Sequence, residues 1–115
     1  MVGAALALLL SAGAQAGEKR TYADWARRPT AQQILRLYPA TALHDRKNGV
    51  ATVTCKVTAE GAPVDCAVLA EDPPGYGFGE AAVEVAKLTW FHPATLDGVA
   101  VEQASVQIPV AFRKF

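Results

Sequence analysis

Few residues in this chain have the reactivity to define a site: two cysteines, two histidines and one glycine-rich run. Cys55 and Cys66 lie on segments that read as two strands folded back on each other. Val53, Cys55 and Val57 alternate with Thr52, Thr54, Lys56 and Thr58, which is the period of a half-buried strand. After a turn at Glu60-Gly61 the apolar set resumes with Val64, Cys66 and Val68. That turn sets Val57 against Val64, Cys55 against Cys66 and Val53 against Val68, with all six on one face. A slip of one residue would turn one strand's apolar set to water. Opposed residues of an antiparallel pair lie within disulfide reach, so the register predicts a Cys55–Cys66 bond. The spacing is not that of a Cys-x-x-Cys redox centre.

The other candidates yield less. His44 and His92 are far apart, and no spacing resembles a metal site. Gly75-Tyr76-Gly77-Phe78-Gly79 lacks the lysine and hydroxyl of a phosphate loop and reads as a lead into a helix. No Ser, His and Asp arrangement has motif support. The residues imply no catalytic centre, cofactor, metal or small-molecule substrate; an unrecognised hydrolase is the most distant reading.

Elements must then position what remains. At 115 residues the chain is expected to form one domain. Eleven basic residues balance eleven acidic ones, so net charge implies neither nucleic acid nor a membrane surface as partner. The distribution is uneven: seven basic and three acidic residues up to Lys47, four and eight after it. This reads either as two solvated surfaces or as a basic lip, including Arg27 and Arg28, that meets an acidic partner.

Val2 to Leu10 is an apolar run, and Ala14-Gln15-Ala16 follows. An apolar run ending in Ala-x-Ala is the pattern of a secretory signal cut after Ala16. Its rival is a retained membrane anchor, for which the run is short. Gly17 to Tyr22 reads as loose, and Trp25 as the cover of an open edge of the core. Thr30 with Gln33 forms a capping box that starts a short helix, with Ala31, Ile34, Leu35 and Tyr38 on one side. Pro39 ends it, and Ala40–Lys47 has room for another helical turn. Glu80 to Phe91 reads as the long helix, with Phe78, Ala81, Ala82, Val85, Leu88 and Thr89 on its apolar face. Asp97-Gly98 makes a second tight turn. In the last segment Ala104, Val106, Ile108, Val110 and Phe112 alternate with Gln103, Ser105, Gln107, Ala111 and Arg113. Pro109 within this strand argues for an edge. The expected architecture is α+β: a three-stranded antiparallel sheet with one long helix on its apolar face and a short N-terminal helix. The last strand should lie beside the first. Tyr38 and Trp90 are expected in the core.

The ordered set Tyr38-Pro39-Ala40-x-Ala42, Gly49 to Val53, Val57 to Val64, Gly79 with Ala81-Ala82, Trp90 to Ala94, Asp97-Gly98-Val99 and Val106 to Phe112 resembles the C-terminal domain of TonB and TonB-like energy transducers. The resemblance implies a ββαβ domain over 38–115, a signal or anchor over 1–16, and an N-terminal extension over 17–37. It implies a periplasmic location, or with a retained anchor one in the inner membrane facing the periplasm, and a protein partner, an outer-membrane TonB-dependent transporter or other envelope protein, whose short segment adds as a strand to the sheet edge. Carried over, that edge is Gln103, Ser105, Gln107, Pro109, Ala111 and Arg113, with Leu35, Leu37, Tyr38 and Pro39 near it. The stretch Gly17–Leu37 is 21 residues without a proline repeat, at most roughly 70 Å when extended. A stand-alone structural or inhibitory module, its edge covered by Trp25 and the N-terminal helix or by a second copy, is the alternative.

Overall fold

The computed structural model describes residues 19–115; the expected export signal over 1–16 lies outside them. The spine is β3 (Gly49–Val57), whose alternate residues Ala51, Val53, Cys55 and Val57 are buried. It is flanked by β4 (Pro63–Asp72) and β8 (Gln103–Phe112), both antiparallel to it, in the order β4-β3-β8. Helix α3 (Phe78–Ala86) crosses the apolar face and buries Phe78, Ala82 and Val85 against it. This is the expected α+β arrangement, with the last strand beside the first.

The remaining elements frame that unit. Strand β1 (Arg20–Thr21) pairs with β6 (Ala94–Leu96), which pairs in turn with β7 (Val99–Val101) across the Asp97-Gly98 turn. Strand β2 (Asp24–Arg27) pairs with β5 (Trp90–His92). Between β2 and β3 lie α1 (Ala31–Arg36), closed by the Thr30–Gln33 capping box, and α2 (Ala40–His44). Residues 20–21, expected to be loose, are held by β6.

Four expectations are corrected. The helix stops at Ala86, not Phe91: the aromatic and β-branched run Thr89-Trp90-Phe91 suits a strand better, and there it finds β2. Leu88 is consequently exposed, and Trp90 is 45% exposed beside Ala26 and Arg27 rather than in the core, while Phe91 is buried. The β3–β4 register holds at Val53–Val68 but slips beyond Thr54, so Val57 meets Pro63 and Lys56 meets Val64. The extra residue is taken up near Asp65, which adopts a φ of 51°, and Val64 turns outward. A second irregularity sets Gln103 opposite Val57, which places Gln103 partly inside and leaves Ala104 exposed.

The cysteines are bonded, as the register predicts, with Cα atoms 4.1 Å apart. Tyr38 closes the open end of the core, edge-on to Phe78 and Phe112. Burial pushes its phenol above the ordinary range, so it stays protonated and donates to the Lys47 carbonyl at 2.5 Å. At the α3 N-terminus, the Gly79 N–H donates to Glu71 Oε2 at 2.6 Å. A carboxylate there also suits the helix dipole.

The β3–β4 turn is docked rather than free. The Phe91 N–H donates to the Gly61 carbonyl at 2.9 Å, and a Cβ on Gly61 would lie 2.0 Å from the Phe91 carbonyl oxygen, at a φ of +93°. Gly75 shares the positive φ but faces open space. Gly61→Ala is therefore expected to lower stability by more than about 3 kcal/mol and Gly75→Ala by about 1 kcal/mol, measured by urea unfolding. Equal losses would show that the turn is not seated on Phe91. Reducing the disulfide should cost about 2–3 kcal/mol in the same assay, as expected for a short closed loop.

Candidate partner-binding edge

Each side of the main sheet ends in a strand with an unpaired outer row among the described residues, β4 on one side and β8 on the other. The two edges differ. β4 is open, with Val64, Val68 and Leu69 all substantially exposed. Asp65, Glu71 and Asp72 stand along it, the kind of charge that discourages pairing. Each has a depression beside it: the larger one, at β4, is about 620 Å³ and carries Glu71 and Glu80, whereas the one at β8 has aromatic and apolar walls.

The strand places its side chains by alternation. Ile108, Val110 and Phe112 are buried toward α3, while Gln107, Pro109 and Ala111 are exposed on the other face. Proline is tolerated in an edge strand where its nitrogen faces solvent. With Pro109 so turned, alternation directs the N–H groups of Gln107 and Ala111 to the same open side.

The groove has a volume of about 340 Å³. One wall is β8 from Ile108 to Ala111. The floor is Val85 and Thr89 from the end of α3, and the far wall is Trp25, Arg28, Pro29 and Ile34. Trp25 is held from both sides: its ring stacks on Phe91 with centroids 5.2 Å apart, and the Arg28 guanidinium lies 4.6 Å from its centroid. The N-terminal segment is tied to the start of β8, where the Ala23 N–H donates to Gln103 Oε1 at 2.7 Å. It stands beside the edge strand without pairing with it.

The structure spreads the residues selected from sequence over several places. Pro109 and Ala111 line the groove. Gln103 serves the N-terminal segment, and the Ser105 hydroxyl lies 3.0 Å from Thr54 Oγ1 within the sheet. Arg113 borders a separate depression with Asn48 and Asp72. Ile34, not Leu35 or Leu37, reaches the groove: Leu35 is 42% exposed, and Leu37 packs against the core beside Arg36 and Glu84. Tyr38 is a core residue, and Pro39 is the N-cap of α2.

Pro29, Ile34, Val85 and Thr89 line the groove but were not selected from sequence for a site, and Thr89 is the polar one among them. It is fully buried, and its hydroxyl has no hydrogen-bond partner. The signal was a threonine on an otherwise apolar helical stripe. No group of three or more His, Cys, Asp or Glu that could hold a metal occurs among the described residues.

The described residues thus form a three-stranded sheet backed by one helix, with an open terminal strand. The family profile for the Gram-negative bacterial TonB protein C-terminal matches residues 35–113, and the chain belongs to that family. Among curated proteins no match was found. Domains of this family are periplasmic and serve protein interaction linked to envelope transport. No helix among the described residues is long and apolar enough to cross a membrane.

An unpaired buried hydroxyl is destabilising. Thr89→Val should therefore unfold at the same urea concentration as the parent or a higher one, with a gain of up to about 1 kcal/mol. A loss of more than about 1 kcal/mol would mean that the hydroxyl already has a partner.

Proposed function

We propose that this domain captures an extended segment of an outer-membrane transporter, or of another envelope protein, by adding it as a strand beside β8. The single observation that carries this reading is the groove along an unpaired edge strand. Neighbouring strands lie about 4.7–4.9 Å apart, and the groove between β8 and Trp25 offers space on the side where an added strand would lie. Backbone hydrogen bonds would supply affinity, and the groove would accept alternate side chains.

The same proposal includes the layout: residues 1–16 as an export signal, 17–37 as an extension whose Trp25 and α1 build the far wall, and 38–115 as the binding domain in the periplasm. A retained N-terminal anchor would instead place the domain at the inner membrane and favour energy transduction.

A second reading is supported by the seating of the N-terminal segment against β8 through Ala23 and Gln103. In it the domain is a self-contained structural or inhibitory module whose edge the chain guards itself. The readings part on one variant. In strand addition, Gln107→Pro removes an outward N–H while sparing the β3–β8 ladder. It should abolish binding to an array of ten-residue segments from the periplasmic faces of outer-membrane transporters. Circular dichroism and unfolding midpoint should stay near those of the parent. Retained binding would exclude the β8 edge. Lost binding with a changed oligomeric state or a collapsed midpoint would favour the structural module.

A further inference from the structure

We propose that the Cys55–Cys66 bond is an exchangeable clasp, opened and closed at Cys66 by a protein dithiol while the domain stays folded, and that it sets how firmly the β3–β4 turn holds Phe91. The proposal does not depend on strand addition at β8.

The two sulfurs stand in different surroundings. Cys55 is in the central strand, 1% exposed, with β4 on one side and Val106 of β8 opposite it on the other. Cys66 is only half-buried, and Val64, Asp65 and Ala67 around it are exposed. Its strand has no neighbour on the outer side among the described residues. In thiol–disulfide exchange a thiolate attacks one sulfur along the S–S axis while the other leaves, so access decides which sulfur is attacked. This bond runs across the sheet from β3 to β4. Extended past Cys55, its axis passes over β8; extended past Cys66, it leaves the sheet at an open edge. Cys66 is therefore the sulfur attacked, and Cys55 is the leaving group.

The dithiol supplies the electrons. Its first thiolate bonds to Cys66 Sγ, the Cys55–Cys66 bond breaks, and Cys55 departs as a thiolate that takes up a proton. The second thiolate attacks the dithiol's own sulfur in the mixed disulfide and releases Cys66, which is protonated in turn. The domain has gained two electrons and two protons, and the dithiol has become a disulfide. Closure is the reverse: Cys66 attacks an oxidised partner, and Cys55 resolves the mixed disulfide. The chain has no third cysteine to divert the exchange.

The bond sits where the ladder is broken. Pairing of β3 with β4 runs from Val50 to Thr54, skips Cys55, and resumes at Lys56 and Val57. Beyond that gap the turn is held by the pairs Lys56–Val64 and Val57–Pro63, a 3.7 Å Lys56–Asp65 contact, the Thr58 N–H on the Ala62 carbonyl, and Gly61 on Phe91. The other half of the sheet keeps its ladders and the core under α3 without the bond. Opening the clasp therefore frees the hairpin end as a unit smaller than the whole domain. Phe91 then loses Gly61, and Trp25 loses the firm seat of its stacking partner.

The test uses the full chain in native buffer. Reduction by dithiothreitol should proceed at a rate proportional to reagent concentration; a rate that levels off at the rate of global unfolding would overturn the proposal. With dithiobis-nitrobenzoate, the lone thiol of Cys55→Ala should react at least about a hundredfold faster than that of Cys66→Ala. Equal rates, or a faster Cys55, would overturn the assignment of the attacked sulfur. Amide hydrogen exchange then compares the oxidised and reduced wild-type protein. On reduction, exchange at Thr58, Gly61 and Phe91 should accelerate at least about tenfold more than at Val53 and Ile108. Equal acceleration at all five would make the bond a purely structural staple, and no acceleration at the first three would uncouple it from Phe91; either result overturns the proposal.

Discussion

A backbone N–H or C=O must be paired or wet, and an edge strand leaves a whole row of them waiting. The structure is arranged around that constraint at β8. One side of the strand is satisfied by β3, and one face is buried under α3. The outer row is neither paired with another strand nor blunted by acidic side chains as β4 is. The groove beside it has aromatic and apolar walls, whereas the depression beside β4 is lined by Glu71 and Glu80. An edge with an apolar groove is suited to receiving a strand, whereas the acidic β4 edge is suited to staying wet.

The rest of the domain keeps that edge in position. The β3 strand is held by ladders on both sides, by the Cys55–Cys66 bond to β4, and by the core beneath it. At one end Tyr38 packs against Phe112 of β8 and bonds to the Lys47 carbonyl just before β3. At the other, Gly61 docks on Phe91, and Phe91 supports Trp25. The far wall of the groove is thus linked through Phe91 to the β3–β4 turn. A loosened turn would be felt at the groove as well as in stability.

Much of this was legible in the chain. The alternation in β3 and in the second half of β8, the capping box at Thr30 and the facing cysteines follow from periodicity and turn chemistry alone. The Gly61 and Asp97-Gly98 turns are legible in the same way. The bulges were not, because an inserted residue such as Asp65 leaves no local mark and is settled by what the partner strand offers. The end of α3 was misplaced because Leu88 and Thr89 continue a helical spacing, and only pairing with β2 shows that Trp90–His92 is worth more as a strand. For the site, the sequence pointed to the strand but not to its surroundings. Arg28 and Ile34 from one stretch and Val85 and Thr89 from another come together beside β8, and no spacing reveals that. A threonine on an apolar stripe was the one available hint.

The most direct measurement is amide hydrogen exchange, residue by residue, on the oxidised protein with and without the tightest binder among the transporter segments. The account predicts new protection at the Gln107 and Ala111 amides, with the outward amides of β4 unchanged. Protection confined to β4, or binding with no change at Gln107 and Ala111, would contradict it.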